Sequence, residues 1–226
     1  MGERVAIVVG AGGELGRATA EKLAAAGFTV VGTDRNEKGL RELPDGIGRE
    51  VADPVDPAAA RNVVDRIAAE VGPPEVLVNT IGTYHLGGAL TATQADLRLM
   101  IDVNVGSALW LTQAVVPYMR ERGSGSIVHV ASRPGLEPTA GLTAYALSKA
   151  ALVYLTRTLD LELRPLGIRV NAVAPQLINT AETRQFTPPD ALAHSVTPGA
   201  IADVLVYLAS DAAASVSGAI VPAYGG

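Results

Sequence analysis

The sequence predicts an α/β fold in which a parallel sheet is covered by helices on both faces. Short, continuously apolar, β-branched runs recur along the 226 residues. Longer stretches with helical periodicity separate them, and the first apolar run ends in a glycine-rich turn that opens a helix. Strands buried on both faces lose the apolar–polar alternation of half-exposed strands, and their alternation with helices is the mark of a parallel sheet. An apolar content of 48% against 18% charged residues fits a globular chain. The length suits one domain, residues 1–226, with a sizeable core.

The elements follow in order. Strands are expected at Val5–Val9, Thr29–Thr33, Val76–Asn79, Ser126–Ala131 and Arg169–Val173, with a last one near Ala219–Val221. The intervening helices are expected at Leu15–Ala26, Pro57–Val71, Asp96–Arg122, Ala144–Leu166 and Ala200–Ala209. The first apolar run is too short for a signal-peptide core, follows Glu3 and ends in glycine, so it reads as a buried strand. No internal repeat or linker divides the chain. The one Pro/Thr-rich polar stretch, Thr180–Pro198, reads as a mobile segment, with a short substrate lid around 181–197.

Composition excludes several classes. A net charge of −5, without a Lys/Arg cluster, argues against a nucleic-acid partner. The chain has no cysteine, which removes disulfide and thiolate chemistry and fits a cytoplasmic protein. No stretch approaches the ~18 uninterrupted apolar residues of a membrane span. No His and carboxylate cluster has metal-ligand spacing. His85 reads as a loop histidine, His129 as a buried hydrogen-bonded residue, and Trp110 and Tyr118 as packing residues.

Two patterns carry chemistry. Gly10-Ala11-Gly12-Gly13-Glu14-Leu15-Gly16 follows the first strand and enters a helix. Glycines let the backbone approach a pyrophosphate, and the helix terminus offers free N–H groups and a positive dipole end. At the end of the second strand, Asp34 stands where a carboxylate bonds ribose hydroxyls and repels a 2′-phosphate. That favours NAD(H) over NADP(H), with the neighbouring Arg35 as the counter-argument. The second pattern is Tyr145-x-x-x-Lys149, with Ser132 thirteen residues upstream. Residues four apart share a helix face, so phenol and ammonium project together. A nearby cation favours phenolate and draws the phenol toward the working range, while a serine hydroxyl holds a carbonyl or alcohol oxygen.

With these motifs in order, the chain resembles the short-chain dehydrogenase/reductase family along nearly its whole length. The matching residues are Gly10 to Gly16, Asp34, Asp53, Asn79-Thr80-Ile81-Gly82, Asn104, Ser132, Tyr145 with Lys149, and Asn171-Ala172-Val173-Ala174-Pro175 followed by Thr180. The resemblance implies a doubly wound, Rossmann-type, three-layer α/β/α fold. It makes Tyr145 the acid/base, Lys149 the nicotinamide-ribose ligand that lowers the phenol's pKa, and Ser132 the residue orienting the substrate. Asn104 would extend a proton relay through water. Asp53 would meet the adenine, Asn79 the adenosine ribose, and Ile178 and Thr180 the carboxamide. Gly12, Gly13, Leu15, Gly82 and Pro175 complete the expected cofactor set. Asn104 as a backbone-bonding helix residue, and Asp53 and Thr180 as helix caps, stay open as alternatives.

Five positions depart from the family pattern. Val9 replaces a threonine, Glu14 a glycine, Thr80-Ile81 an Asn-Ala pair, and Gln176 the glycine after Pro175. A carboxylate at Glu14 weakens pyrophosphate binding unless it points to solvent. The expected pocket wall comprises Thr83-Tyr84-His85-Leu86, Arg133-Pro134-Gly135-Leu136, Gln176 and residues 181–196 with Arg184, Phe186 and His194; Tyr84, Pro134 and Gln176 are the expected substrate contacts beside Ser132 and Tyr145. The short lid suggests an open pocket or a small carbonyl or alcohol substrate. By resemblance, the two long helices would pair with symmetry mates in a homodimer or homotetramer, helped by Ala146, Ala150 and Ala151, with Val216–Gly226 as a second interface. The expected function is hydride transfer between nicotinamide and a secondary alcohol or ketone, or an aldehyde. The rivals are a dinucleotide sensor without turnover, and an epimerase or dehydratase of the same superfamily.

Overall fold

The computed structural model describes residues 4–185 and 187–225. Glu3, Phe186 and Gly226, which entered the sequence reading, lie outside the described residues. Seven strands form one sheet: β1 (Val5–Val9), β2 (Thr29–Asp34), β3 (Gly48–Val51), β4 (Pro74–Asn79), β5 (Gly125–Val130), β6 (Ile168–Pro175) and β7 (Ile220–Ala223). Their order is β3-β2-β1-β4-β5-β6-β7, and every neighbouring pair is parallel. The chain winds outward from β1 to β3, then restarts beside β1 with β4. That reversal opens a crevice at the carboxyl ends of β1 and β4, where ligands of such sheets bind.

The helices are α1 (Glu14–Ala25), α2 (Glu37–Leu40), α3 (Pro57–Glu70), α4 (Gln94–Ile101), α5 (Ser107–Arg122), α6 (Thr143–Leu163), α7 (Pro189–Leu192) and α8 (Pro198–Ala209). All five residues of β1 are buried, and its alternate side chains feed two cores. Ala6 and Val8 pack with Leu23 of α1 and Ile201 and Leu205 of α8. Ile7 and Val9 pack on the other face with Val64 and Ile67 of α3 and Leu111 and Val115 of α5. α3 shows the local logic: Asp56 caps it by accepting the Ala58 N–H at 2.9 Å, Pro57 opens it, and Ala60, Val63, Val64 and Ile67 form its buried stripe.

Three differences from the sequence expectation have physical causes. β3 was not foreseen because Gly48-Arg49-Glu50-Val51 is a largely exposed edge strand without an apolar run. The short helices α2 and α7 carry too few residues for a period to show. The helix expected over Asp96–Arg122 begins at Gln94, under a capping box made by Thr93 and Asp96, and is broken by a π-helical turn at Asp102–Gly106. By length and composition the run Gln94–Arg122 could cross a membrane, yet half of its apolar window is buried in this fold.

His129, on β5, is fully buried as expected, but neither ring nitrogen meets a hydrogen-bond partner among the described residues. Burial, and secondarily the positive charge of Lys149, push its pKa from 6.5 down to about 4. An unfolded chain would take up a proton below pH 6.5 that the folded chain refuses until about 4. Stability is therefore expected to fall as pH drops through that window, by up to about 3 kcal/mol from this group. Urea denaturation between pH 7 and 4.5 should show the slope, and His129→Leu should flatten it.

Candidate active site

The β1–α1 turn is built by close approach. Gly10 has φ of +84°, and a Cβ on Gly16 would fall 2.1 Å from the Gly10 carbonyl oxygen. The backbone N–H groups of Gly10 and Ala11 donate to the Thr33 carbonyl at 2.8 and 3.2 Å, tying the turn to β2. Asp34 ends β2 and accepts the Gly12 N–H at 3.0 Å through Oδ2 and the Asn36 N–H at 2.9 Å through Oδ1. Gly13 caps α1 without a side-chain bond, so the first-turn N–H groups face the crevice with no side chain at the cap to satisfy them. Leu15 turns its side chain into the core, and only its backbone belongs to the turn.

Two of the unusual residues complement each other. Thr80 donates its hydroxyl to the Val9 carbonyl at 2.7 Å and its N–H to the same oxygen at 2.9 Å. The hydroxyl that residue 9 lacks is supplied from across the sheet. Asn79, buried at the end of β4, accepts the Ile81 N–H at 3.1 Å. Asp53 accepts the Val55 N–H at 3.1 Å and lies 3.8 Å from exposed Arg35; the cap of the following helix is Asp56, not Asp53. These residues fit a dinucleotide: a helix terminus for a diphosphate, and a carboxylate at the second strand for a ribose.

Lys149 is buried at 3% exposure and donates from Nζ to the Val130 carbonyl at 2.9 Å. Burial lowers its pKa from 10.5 to about 8. Gly82 lies between this ammonium and Asn104: a Cβ there would stand 3.2 Å from Lys149 Nζ and 3.4 Å from Asn104 Oδ1. Asn104 sits in the π turn and clamps Thr83, accepting its N–H and donating to its carbonyl, both at 2.9 Å. The Asn104 amide also donates to Ser148 Oγ at 2.9 Å, and Ser148 donates to the Tyr145 carbonyl at 2.7 Å. Sequence reasoning missed Ser148, because its importance comes from this buried link rather than from any spacing.

Tyr145 is half-buried, its ring centroid 6.0 Å from Lys149 Nζ and edge-on to Tyr84 at 6.4 Å. Burial raises the phenol above 10, and a hydrogen bond with Ser132 opposes the rise. The expected downward pull by Lys149 is absent: burial raises the phenol, the one opposing influence comes from Ser132, and the ammonium's hydrogen bond goes to Val130. Ser132 Oγ also approaches the Pro175 carbonyl at 3.5 Å, joining the ends of β5 and β6. A phenol held by a hydroxyl beside a buried ammonium can donate or accept a proton at an oxygen placed in the crevice.

Around this group, Pro134 lies in the 3-10 turn Arg133–Gly135. Arg133 donates to Gln176 Oε1 at 3.0 Å and Glu137 Oε2 at 2.7 Å, and stacks over Tyr224 at 5.0 Å. Glu137 and Tyr224 were not foreseen here, since their proximity is set by the 3-10 turn and by where the chain leaves β7. Thr180 accepts the Thr183 N–H at 3.2 Å, capping a 3-10 turn, and Ile178 bridges to Val196. His85 lies 3.5 Å from Asp96 and His194 is exposed. Trp110 packs against the core, and Tyr118 donates to Asp65 at 2.8 Å. No metal-binding cluster occurs among the described residues.

Comparisons with known proteins agree with this arrangement. The sequence model of the family described as short chain dehydrogenase matches residues 4–191. The chain is 32% identical over 235 residues to the 3-oxoacyl-[acyl-carrier-protein] reductase FabG of Escherichia coli K12, covering 99% of this chain and 96% of that one. It is 33% identical over 247 residues to the 4-formylbenzenesulfonate dehydrogenase TsaC1/TsaC2 of Comamonas testosteroni, covering 100% and 98%. The crystal structure of gox2181 superposes with a TM-score of 0.91 at 32% identity, covering 98% of this chain and 94% of that chain. The chain belongs to the short-chain dehydrogenase/reductase family of nicotinamide-dependent oxidoreductases.

Proposed function

We propose that this is a cytoplasmic, NAD(H)-dependent enzyme that interconverts a secondary alcohol and a ketone, or reduces an aldehyde. The observation that carries the reading is the gathering of Tyr145, Ser132 and the buried Lys149 ammonium, whose Nζ stands 6.0 Å from the Tyr145 ring centroid and bonds the end of the strand that leads to Ser132. The Gly10–Gly16 turn would hold the diphosphate, Asp34 the adenosine ribose, Asp53 the adenine, Asn79 the adenosine side of the crevice, and Ile178 and Thr180 the carboxamide. When bound, nicotinamide supplies or takes up the hydride.

The chain's own residues handle the proton. In reduction, Ser132 and Tyr145 grip the carbonyl oxygen, and Tyr145 donates its phenolic proton to it. Lys149 stabilises the phenolate that remains, while Asn104 and Ser148 hold the Thr83 and Tyr145 backbone in place. In oxidation, the phenolate takes the hydroxyl proton. Tyr84, Pro134 and Gln176 line the approach, and the cation at Arg133 borders it. The relatives named for a carbonyl reductase and an aldehyde dehydrogenase support this class of substrate.

Assembly follows from an unpartnered helix face. Leu147, Tyr154 and Leu161 recur at seven-residue spacing on α6 with 54, 75 and 71% exposure, beside the small residues Ala146, Ala150 and Ala151. A stripe of this kind marks an interface, and pairing of α6 with a second copy would bury it in a homodimer or homotetramer.

Three outcomes test the reading. Tyr145→Phe should lower kcat by about 10²- to 10⁴-fold with NADH and a panel of ketones and aldehydes, with NADH affinity unchanged. In wild type, reduction should slow as pH rises through about 8, because Lys149 is charged below that value and neutral above it; a rate that rises there would remove Lys149 from the mechanism. Asp34→Ser should raise the preference for NADPH relative to NADH by about tenfold, or 1.4 kcal/mol, in direct binding. Separately, light scattering should give a dimer mass or more for wild type and a monomer mass for Tyr154→Glu combined with Leu161→Glu.

A further inference from the structure

Glu14 occupies the first helical position of α1, after a cap residue with no side chain. Its partly exposed carboxylate is held by a backbone bond. Oε1 accepts the backbone N–H of Ala181 at 2.5 Å, linking residues 167 apart in the chain. Ala181 belongs to the segment that leaves β6 and returns toward α8, which packs against α1. The bond therefore crosses the carboxyl edge of the sheet, over the crevice where the fold reverses.

The segment it seizes is internally tied. Asn179 N–H donates to the Val196 carbonyl at 2.9 Å, and Val196 N–H to the Leu177 carbonyl at 2.8 Å. Thr183 Oγ1 donates to the Ile178 carbonyl at 2.6 Å, and the Thr180 N–H to Thr183 Oγ1 at 2.9 Å. Residues 177–183 thus move as a knot, and Glu14 pins that knot to the glycine turn.

Helix α1 ends at the crevice with free N–H groups and a positive dipole end, which favour an anion at close range. A carboxylate in the first turn of α1 stands within range of that stabilisation, while its Oε1 holds Ala181. A dinucleotide diphosphate arriving at the turn meets a like charge already in place. We propose that Glu14 sets cofactor affinity: its carboxylate and the dinucleotide diphosphate compete for the α1 terminus, and the tether to Ala181 holds the free protein in its low-affinity form. The inference rests on the dinucleotide reading above. It makes Glu14 a residue that this chain uses to bind its cofactor loosely.

The test is direct NADH binding by titration calorimetry to wild type, Glu14→Gln and Glu14→Gly, with amide hydrogen exchange at Ala181 in each free protein. Glu14→Gln keeps an acceptor oxygen and removes the charge, so it should tighten NADH by about tenfold and leave Ala181 protected. Glu14→Gly should tighten NADH at least as much and raise exchange at Ala181. Unchanged or weaker NADH binding by both variants overturns the competition, and unchanged exchange at Ala181 in Glu14→Gly overturns the tether. If wild type and both folded variants bind neither NADH nor NADPH, the dinucleotide reading itself fails and takes the competition with it.

Discussion

A buried ammonium organises this active site. Lys149 is placed where a charge loses almost all contact with water, and the fall of its pKa from 10.5 to about 8 measures that loss at about 3 kcal/mol. The cost is present at neutral pH, where the folded chain holds the proton against burial, and it disappears only above the unfolded pKa. What offsets it is position. The bond from Nζ to the Val130 carbonyl fastens α6 to the last residue of β5. From that fastening Tyr145 is set one turn back on α6, and Ser132 two residues beyond Val130. Gly82 has to lack a side chain because the ammonium and Asn104 occupy the space on either side of it. His129, on the same strand, stays neutral partly because this charge is already there.

The π turn at Asp102–Gly106 serves the same geometry from the other side. A straight helix would carry Asn104 in register with its neighbours and leave its amide to the helix surface. The wider turn presents that amide to Thr83, whose N–H and carbonyl it takes together, and to Ser148 on α6. One side chain thus joins the loop after β4, the α4–α5 junction and α6. π turns recur at functional sites because they re-aim one residue without ending a helix.

Much of the fold was legible because burial on both faces writes strands as unbroken β-branched runs. Val5–Val9 shows this plainly, whereas Ile168–Pro175 interrupts its apolar run with Arg169 and Asn171. β3 was not legible, since an edge strand of Gly, Arg, Glu and Val carries no such signature. The π turn left no trace either: Val103 stands three residues after Met100 and Val105 four after Ile101, the apolar spacing of an ordinary helix. In the site, the spacing of Tyr145 and Lys149 announced itself, because helix geometry converts a four-residue interval into a shared face. The direction of the Tyr145 shift did not, because burial depends on segments that the interval does not mention. The aim of Glu14 was hidden for the same reason; its partner lies 167 residues away.

Val9, Gly10 and Thr80 show what such couplings mean for change over time. Thr80 lends its hydroxyl to the Val9 carbonyl, and a Cβ on Gly10 would stand 2.6 Å from that same hydroxyl. The three positions form one unit, and sites in direct contact do not contribute additively. A threonine restored at position 9 alone would bring a second hydroxyl to a turn already braced, and the loss of Thr80 alone would leave it unbraced. Either single exchange leaves the turn with two hydroxyls or none, where the two together keep one. An exchange at any one of these positions therefore bears directly on the other two, whatever the ligand.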